Sequence, residues 1–246
     1  MSLIEIRKVE NKKDLKTFID FHYDLYEGNE YDVPNLFSDE MNTLSKDRNA
    51  AFEFCESEYF LAYKDGKLAG RVAAIINHKA NERWNCKSVR FGWIDFIDDR
   101  EVSKALLQAV EDYGKSKGMD NVVGPLGFTD MEPEGMLTWG FVQLGTMPTI
   151  YNYSYYPEHI EALDGYEVDN KYVEYKLIVP DTVPEKYAKI AAMIEKRYNL
   201  HVRKLTKKDV FQGGYGQKIF DLINATYKDL YGYSELSQKQ IDQLIH

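Results

Sequence analysis

The chain has little cysteine: Cys55 and Cys86 are its two thiols in 246 residues, so no disulfide framework is implied. Neither has a second cysteine or a histidine at metal-ligand spacing, and the five histidines are scattered, so no metal site is expected. Long apolar runs are missing too. None approaches the roughly 18 residues of a membrane span, and the opening MSLIEIRKVENKKD is too polar for a secretory signal. No membrane association and a cytoplasmic setting are expected by elimination. Positive charge is in deficit, 31 Lys and Arg against 40 Asp and Glu, a net charge of −9. That argues against nucleic acid as a partner, because phosphate backbones need basic surfaces. The short basic run Lys204, Lys207 and Lys208 reads as a solvated loop.

What the chain has in quantity is aromatic surface, 14% of residues with 19 Tyr among them, which suits ligand grooves and interfaces as well as cores. LIEIRKV alternates as a first strand, and Asn11 is placed to cap the helix KKDLKTFIDFHYDLY. Leu15, Phe18, Ile19, His22 and Leu25 recur at helical spacing as its buried face, with His22 read as a satisfied core residue. YFLAYKDGKLAGRVAAIIN is a hairpin turning at Asp65-Gly66. A strand VRFGWIDFIDD, an amphipathic helix REVSKALLQAVEDYGKSKG and a strand MDNVVGPLGF with a Gly-Pro bend follow. EPEGMLTWGF reads as a helix, PEHIEALDGYE as a short helix with a Gly turn, and KYVEYKLIV as an alternating strand. Beyond Pro180 and Pro184 come a helix EKYAKIAAMIEKRYN, a strand LHVRKLT and a helix GQKIFDLINATYKDLYG. SELSQKQIDQLIH opens a further helix, capped by Ser234 or Ser237.

The strand–helix–strand layout of residues 89–128, within this element order, resembles the acyl-CoA-binding core of the GNAT N-acyltransferase superfamily. FLAYKDGKLAGRVAAIIN and GPLGFTDMEPEGMLTWGF are similar to a bacterial group of tandem GNAT-like proteins. The resemblance implies an α/β fold with a mixed, mostly antiparallel sheet flanked by helices over residues 1–179. Residues 180–246 would begin a second, incomplete unit, so that the chain stops inside a longer tandem pattern. It also implies acetyl-CoA or another acyl-CoA as donor, with a small-molecule or peptide amine as acceptor.

The family's phosphate loop, Arg/Gln-x-x-Gly-x-Gly/Ala, is the point of departure. Asp98, Asp99, Arg100, Glu101, Val102 and Ser103 stand in its place. Glycines let backbone N–H groups approach a pyrophosphate, whereas a carboxylate about 6 Å from it costs ~3 kcal/mol at an effective dielectric of about 20. The same acids equally suit a charged helix N-terminus.

GPLGFTDMEPEGML offers the other candidate site. Gly124 and Pro125 end a strand, Phe128 follows, and Asp130, Glu132 and Glu134 come next in a loop beside the place where GNAT strands part. Glu132 or Glu134 would be the base that deprotonates an amine, and Thr129 or Asp130 equally reads as a helix cap. Tyr151, Asn152, Tyr153, Tyr155 and Tyr156 cluster at a bend. The resemblance implies that Tyr155 or Tyr156 protonates a departing thiolate, while such clusters also pack locally. Expected acceptor contacts are Gly124, Phe128, Asp130, Tyr151, Asn152 and Tyr155, with Glu132, Glu134 and Tyr156 catalytic. Two functions stay open: an acyl-CoA-dependent N-acyltransferase, or a degenerate GNAT domain that binds a small molecule, peptide or partner without catalysis.

Overall fold

The computed structural model describes residues 3–245; His246, the last residue of the final predicted helix, lies outside the described residues. Five strands form one sheet in sequence order: β1 (Ile4–Lys8), β2 (Cys55–Lys64), β3 (Lys67–Asn77), β4 (Ser88–Phe96) and β5 (Asn121–Val123). The first four are antiparallel neighbours, and β5 runs parallel to β4. The sheet is therefore mixed and mostly antiparallel, as the resemblance implied. The hairpin turns at Asp65, which takes a left-handed φ of 49° ahead of Gly66 at 79°.

Helices cover both faces, which explains why β3 and β4 are buried along most of their length rather than alternating. On one face, α4 (Arg100–Ser116) buries Val102, Leu106, Leu107 and Val110 against Val72, Ala74, Ile76, Phe91 and Phe96. Tyr156 of α5 (Tyr155–Glu161) joins this cluster. On the other face, α1 (Lys12–Leu25) buries Leu15, Phe18, Ile19 and Phe21, and α2 (Phe37–Leu44) contributes Leu44. Asn11 caps α1 as expected, its side chain accepting from Lys13 N and Asp14 N.

The sheet carries one irregularity that matters. Ala73 pairs with Gly92 while Arg71 pairs with Asp95, so β4 has one residue more than β3 between these pairs. Trp93 lies in this bulge with φ 47°, strained for a non-glycine residue. Past Arg90 and Val123 the β4–β5 ladder ends, and the chain leaves through the cis Gly124–Pro125 bond.

Three predicted elements are absent. EPEGMLTWGF forms no helix: Gly135 and Gly140 sit at φ 85° and 91°, outside helical space. KYVEYKLIV and LHVRKLT form no strands. Alternation makes a strand only beside a free sheet edge, and neither segment has one. Every residue from 167 to 204 is exposed. The helices expected beyond Pro180 do form: α6 (Glu185–Tyr198), α8 (Tyr215–Tyr227) and α9 (Gln238–Ile245). Ser237 caps α9, its Oγ accepting from Gln240 N while its own N–H donates to Gln240 Oε1. Two further helices went unpredicted, α3 (His78–Trp84) and α7 (Lys207–Phe211). Ahead of α9 the chain returns to the sheet and its connections: Asn77 Nδ2 of β3 donates to Ser234 Oγ (3.4 Å), Tyr233 O accepts from Trp84 Nε1 (3.1 Å), and Ser234 N donates to Asp130 Oδ2 (3.2 Å).

Candidate active site

The bulge in β4, the start of the loop after β5, α1 and α5 together enclose a cavity of ≈ 110 Å³. Glu132 lines it. The carboxylate folds back so that Oε2 accepts from Thr129 N (2.7 Å) and Thr129 Oγ1 (3.1 Å). This turn replaces the predicted helix start. Gly127 permits it, because a Cβ there would stand 2.5 Å from Glu132 Cβ. Gly92 has a similar role opposite, since a Cβ would meet Leu126 O at 2.4 Å. Burial outweighs the two Thr129 hydrogen bonds and pushes the Glu132 carboxyl up to about 7.

Asp130 and Glu134 sit beside the cavity without lining it. Their carboxyl groups face each other, leaving Asp130 Oδ1 and Glu134 Oε1 buried without a donor. Burial and then the Asp130 charge raise Glu134 to about 7, and burial also raises Asp130. The Arg90 guanidinium, bonded to Gly127 O at 3.1 Å, pulls weakly the other way.

A polar cluster missed in the sequence forms another part of the lining. Arg71 and Asp95 face each other across β3 and β4, Nη2 to Oδ2 at 2.7 Å and Nε to Oδ2 at 2.8 Å. His22 Nδ1 lies 3.1 Å from the same Asp95 oxygen, and its Nε2 lies 3.4 Å from Asp32. Asp95 is fully enclosed; burial would raise it, but Arg71 and His22 hold it down at about 2. Burial likewise opposes charge on His22, and Asp95 with Asp32 more than offsets this, holding the imidazole at about 9. His22 is therefore a cation at neutral pH. Arg71 and Asp95 were legible in principle, as charges inside the apolar runs GRVAAIIN and GWIDFI.

The tyrosines divide. Tyr151, Asn152 and Tyr156 line the cavity. The Tyr156 hydroxyl donates to Asp95 Oδ1 (3.1 Å) and accepts from Phe96 N (3.1 Å) and Tyr26 OH (3.0 Å). Burial drives its pKa well up. With every hydrogen-bonding position taken, it braces Asp95. Asn152 is spent on the backbone of Leu137 and Tyr153. With Asp130, three more expected contacts lie outside the cavity: Gly124 against Phe91, Phe128 fully buried between Phe52 and Trp93, and Tyr155 bonded to Phe96 O at 2.7 Å.

The N-terminus of α4 is closed. Asp99 Oδ1 accepts from Glu101 N and Val102 N, the groups a pyrophosphate would need, and Asp99 is paired with Lys64. His159 bridges Asp98 (3.0 Å) and Ser103 (3.1 Å). These residues do not fit the pyrophosphate of CoA.

Element order, sheet order and the parting of β4 from β5 agree with the layout that the resemblance implied. No family model matches the chain. Protein YghO of Escherichia coli (strain K12) is 34% identical over 161 residues, 65% of this chain and 41% of that protein. A bacterial ceramide synthase of Caulobacter vibrioides (strain NA1000 / CB15N) is 26% identical over 250 residues, 98% of this chain and 62% of that protein. The chain thus spans less than two thirds of either relative. Among solved structures, the aminoglycoside acetyltransferase AAC(6')-Iy, in complex with a CoA bisubstrate analogue, is 18% identical with a TM-score of 0.43. That alignment covers 72% of this chain and 100% of the other. Among the described residues, no helix is long and apolar enough to cross a membrane.

Proposed function

We propose that this chain forms the acceptor side of an N-acyltransferase, binding an amine in the β4 cavity and taking its proton on Glu132. The observation that carries the reading is Glu132 itself: a carboxyl lining a cavity, enclosed, and raised to about 7. A base with a pKa near the working pH combines availability with driving force. Tyr151 and Asn152 shape the cavity, as do residues near Trp93. The acyl donor, an acyl-CoA by resemblance, is held away from α4, whose N-terminus its own Asp99 already occupies. The unit beginning after Pro180 is the place we assign to it. A ceramide is an amide, so the relative named a ceramide synthase makes the class of bond proposed here.

The test is amide formation, followed by mass, from a panel of amines and acyl thioesters by the intact protein and by Glu132→Gln. Product from the wild type and a loss of about 10²–10⁴-fold in the variant is the expected result. Equal rates from the two proteins would remove Glu132 from the chemistry. The closed α4 favours a second reading, a non-catalytic binding domain. That reading is upheld if no amide forms while an amine raises the melting temperature.

A further inference from the structure

We infer that His22, oriented by Asp95, is a second proton-transfer residue of this cavity, the acid that protonates the group leaving the acyl donor. The inference rests on the proposed acyl transfer and assigns its second proton.

Three observations place His22 in this role. Its side chain lines the same cavity as Glu132, on the end of α1. Its Nδ1 is committed to Asp95 at 3.1 Å, and Asp95 is in turn locked by Arg71 and by the Tyr156 hydroxyl. That fixes the ring and leaves Nε2 with the looser contact, 3.4 Å from Asp32. A buried carboxylate behind one nitrogen and a freer N–H on the other is the arrangement that presents an imidazole proton to a ligand. Tyr156 cannot take the role, because its hydroxyl proton is already donated to Asp95. Tyr23 and Tyr26 stand with their rings 5.9 and 4.7 Å from the imidazole, and Glu40 of α2 lines a smaller cavity that His22 also borders. Arg71 opposes the charge on His22, and Asp95 and Asp32 sustain it.

With an acyl thioester as donor the step balances. The amine nitrogen bonds to the acyl carbon and the C–S bond breaks with its electron pair on sulfur. The amine proton passes to Glu132, and the His22 Nε2 proton passes to the departing sulfur. Proton exchange from Glu132 back to His22 through solvent restores the starting state. The departing thiolate, the conjugate base of a thiol with a pKa near 8.5, is closely matched to an imidazolium held at about 9, so the proton passes with little cost.

The experiment is the pH–rate profile of amide formation by the intact protein, with His22→Gln and Asp32→Asn beside it. Nitrogen NMR of the His22 ring is recorded on the same samples. The wild type should fall in rate above about pH 9, with both ring nitrogens protonated below it. His22→Gln should cost about 10²–10⁴-fold and lose that falling limb. Asp32→Asn, which keeps the imidazole but removes a supporting charge, should move the limb and the NMR titration together to lower pH. This second variant carries the test if His22→Gln does not fold. A His22→Gln enzyme that keeps both rate and limb, or an Asp32→Asn limb that stays put while the ring titration moves, overturns the role of His22 and leaves Glu132 standing. No amide from the wild type overturns the acyl-transfer reading, and this one with it.

Discussion

Two stretches of this chain carry three acids each and treat them in opposite ways. At the start of α4, Asp99 is supplied with two backbone N–H groups and Lys64, and its carboxyl is held below the usual range by Lys64 first, with burial working against it. Asp98 has His159, and Glu101 is exposed. In the loop after β5, Asp130, Glu132 and Glu134 are all desolvated and all raised. The same residue types thus serve as parts of the scaffold in one place and are desolvated in the other. Acids held in the less favourable state are where proton chemistry is to be sought, so the comparison points to the cavity and away from α4.

The largest effect should break the comparison at its reactive end. Glu132→Gln should lower kcat/KM for amide formation by about 10²–10⁴-fold and abolish the rise in rate through pH 7, read from a pH–rate profile. The same substitution should raise stability at alkaline pH. Folding lifts the Glu132 carboxyl from 4.5 to about 7, so its contribution is full below pH 4.5 and is lost as pH rises through 7. At pH 8 the glutamine should be more stable by up to about 3 kcal/mol, roughly 6–12 °C in melting temperature, with no gain at pH 4. Calorimetry at the two pH values decides it; a gain of equal size at both would mean that the carboxyl is not desolvated.

Gly127→Ala puts a methyl against the Glu132 stem. It should cost about 1–3 kcal/mol by overpacking and reduce activity in parallel, measured by denaturant unfolding and turnover together. The smallest effect belongs to the scaffold end. Asp99→Ala should cost about 1 kcal/mol through the lost cap. The lowered Asp99 carboxyl contributes above its ordinary 3.8 and loses that contribution as pH falls, so the difference from wild type should fade in acid. The KM for the acyl donor should not change. A donor KM that rises sharply in Asp99→Ala would reopen the α4 N-terminus as a phosphate site.

The sheet and most of its helices were legible because their signals are local. Asp65-Gly66 can turn a hairpin wherever it sits, Asn11 caps whatever helix follows it, and the apolar spacing of α1 and α4 needs only a face to bury. Two of the three misses share one cause. KYVEYKLIV and LHVRKLT alternate as strands do, but a strand is half of a pair, and no sheet edge reaches them. EPEGMLTWGF fails locally: Glu132 bonds back to Thr129, and Gly135 and Gly140 take left-handed φ within it.

The candidate site divides along the same line. From sequence alone came an acid-bearing loop after a Gly-Pro bend and a departure from glycines at the head of α4, since both depend on which residues are present and in what order. Only the tertiary structure decided which acid faces a cavity, that Tyr156 is spent on Asp95, and that His22 is a cation. Each of those depends on residues far apart in the chain, 61 positions for Tyr156 with Asp95 and 73 for His22 with Asp95. Desolvation and charge pairing act through space, so composition sets what acids and bases are available, and the bulge at Trp93 with the closing of α1 over β3 and β4 sets what they can do.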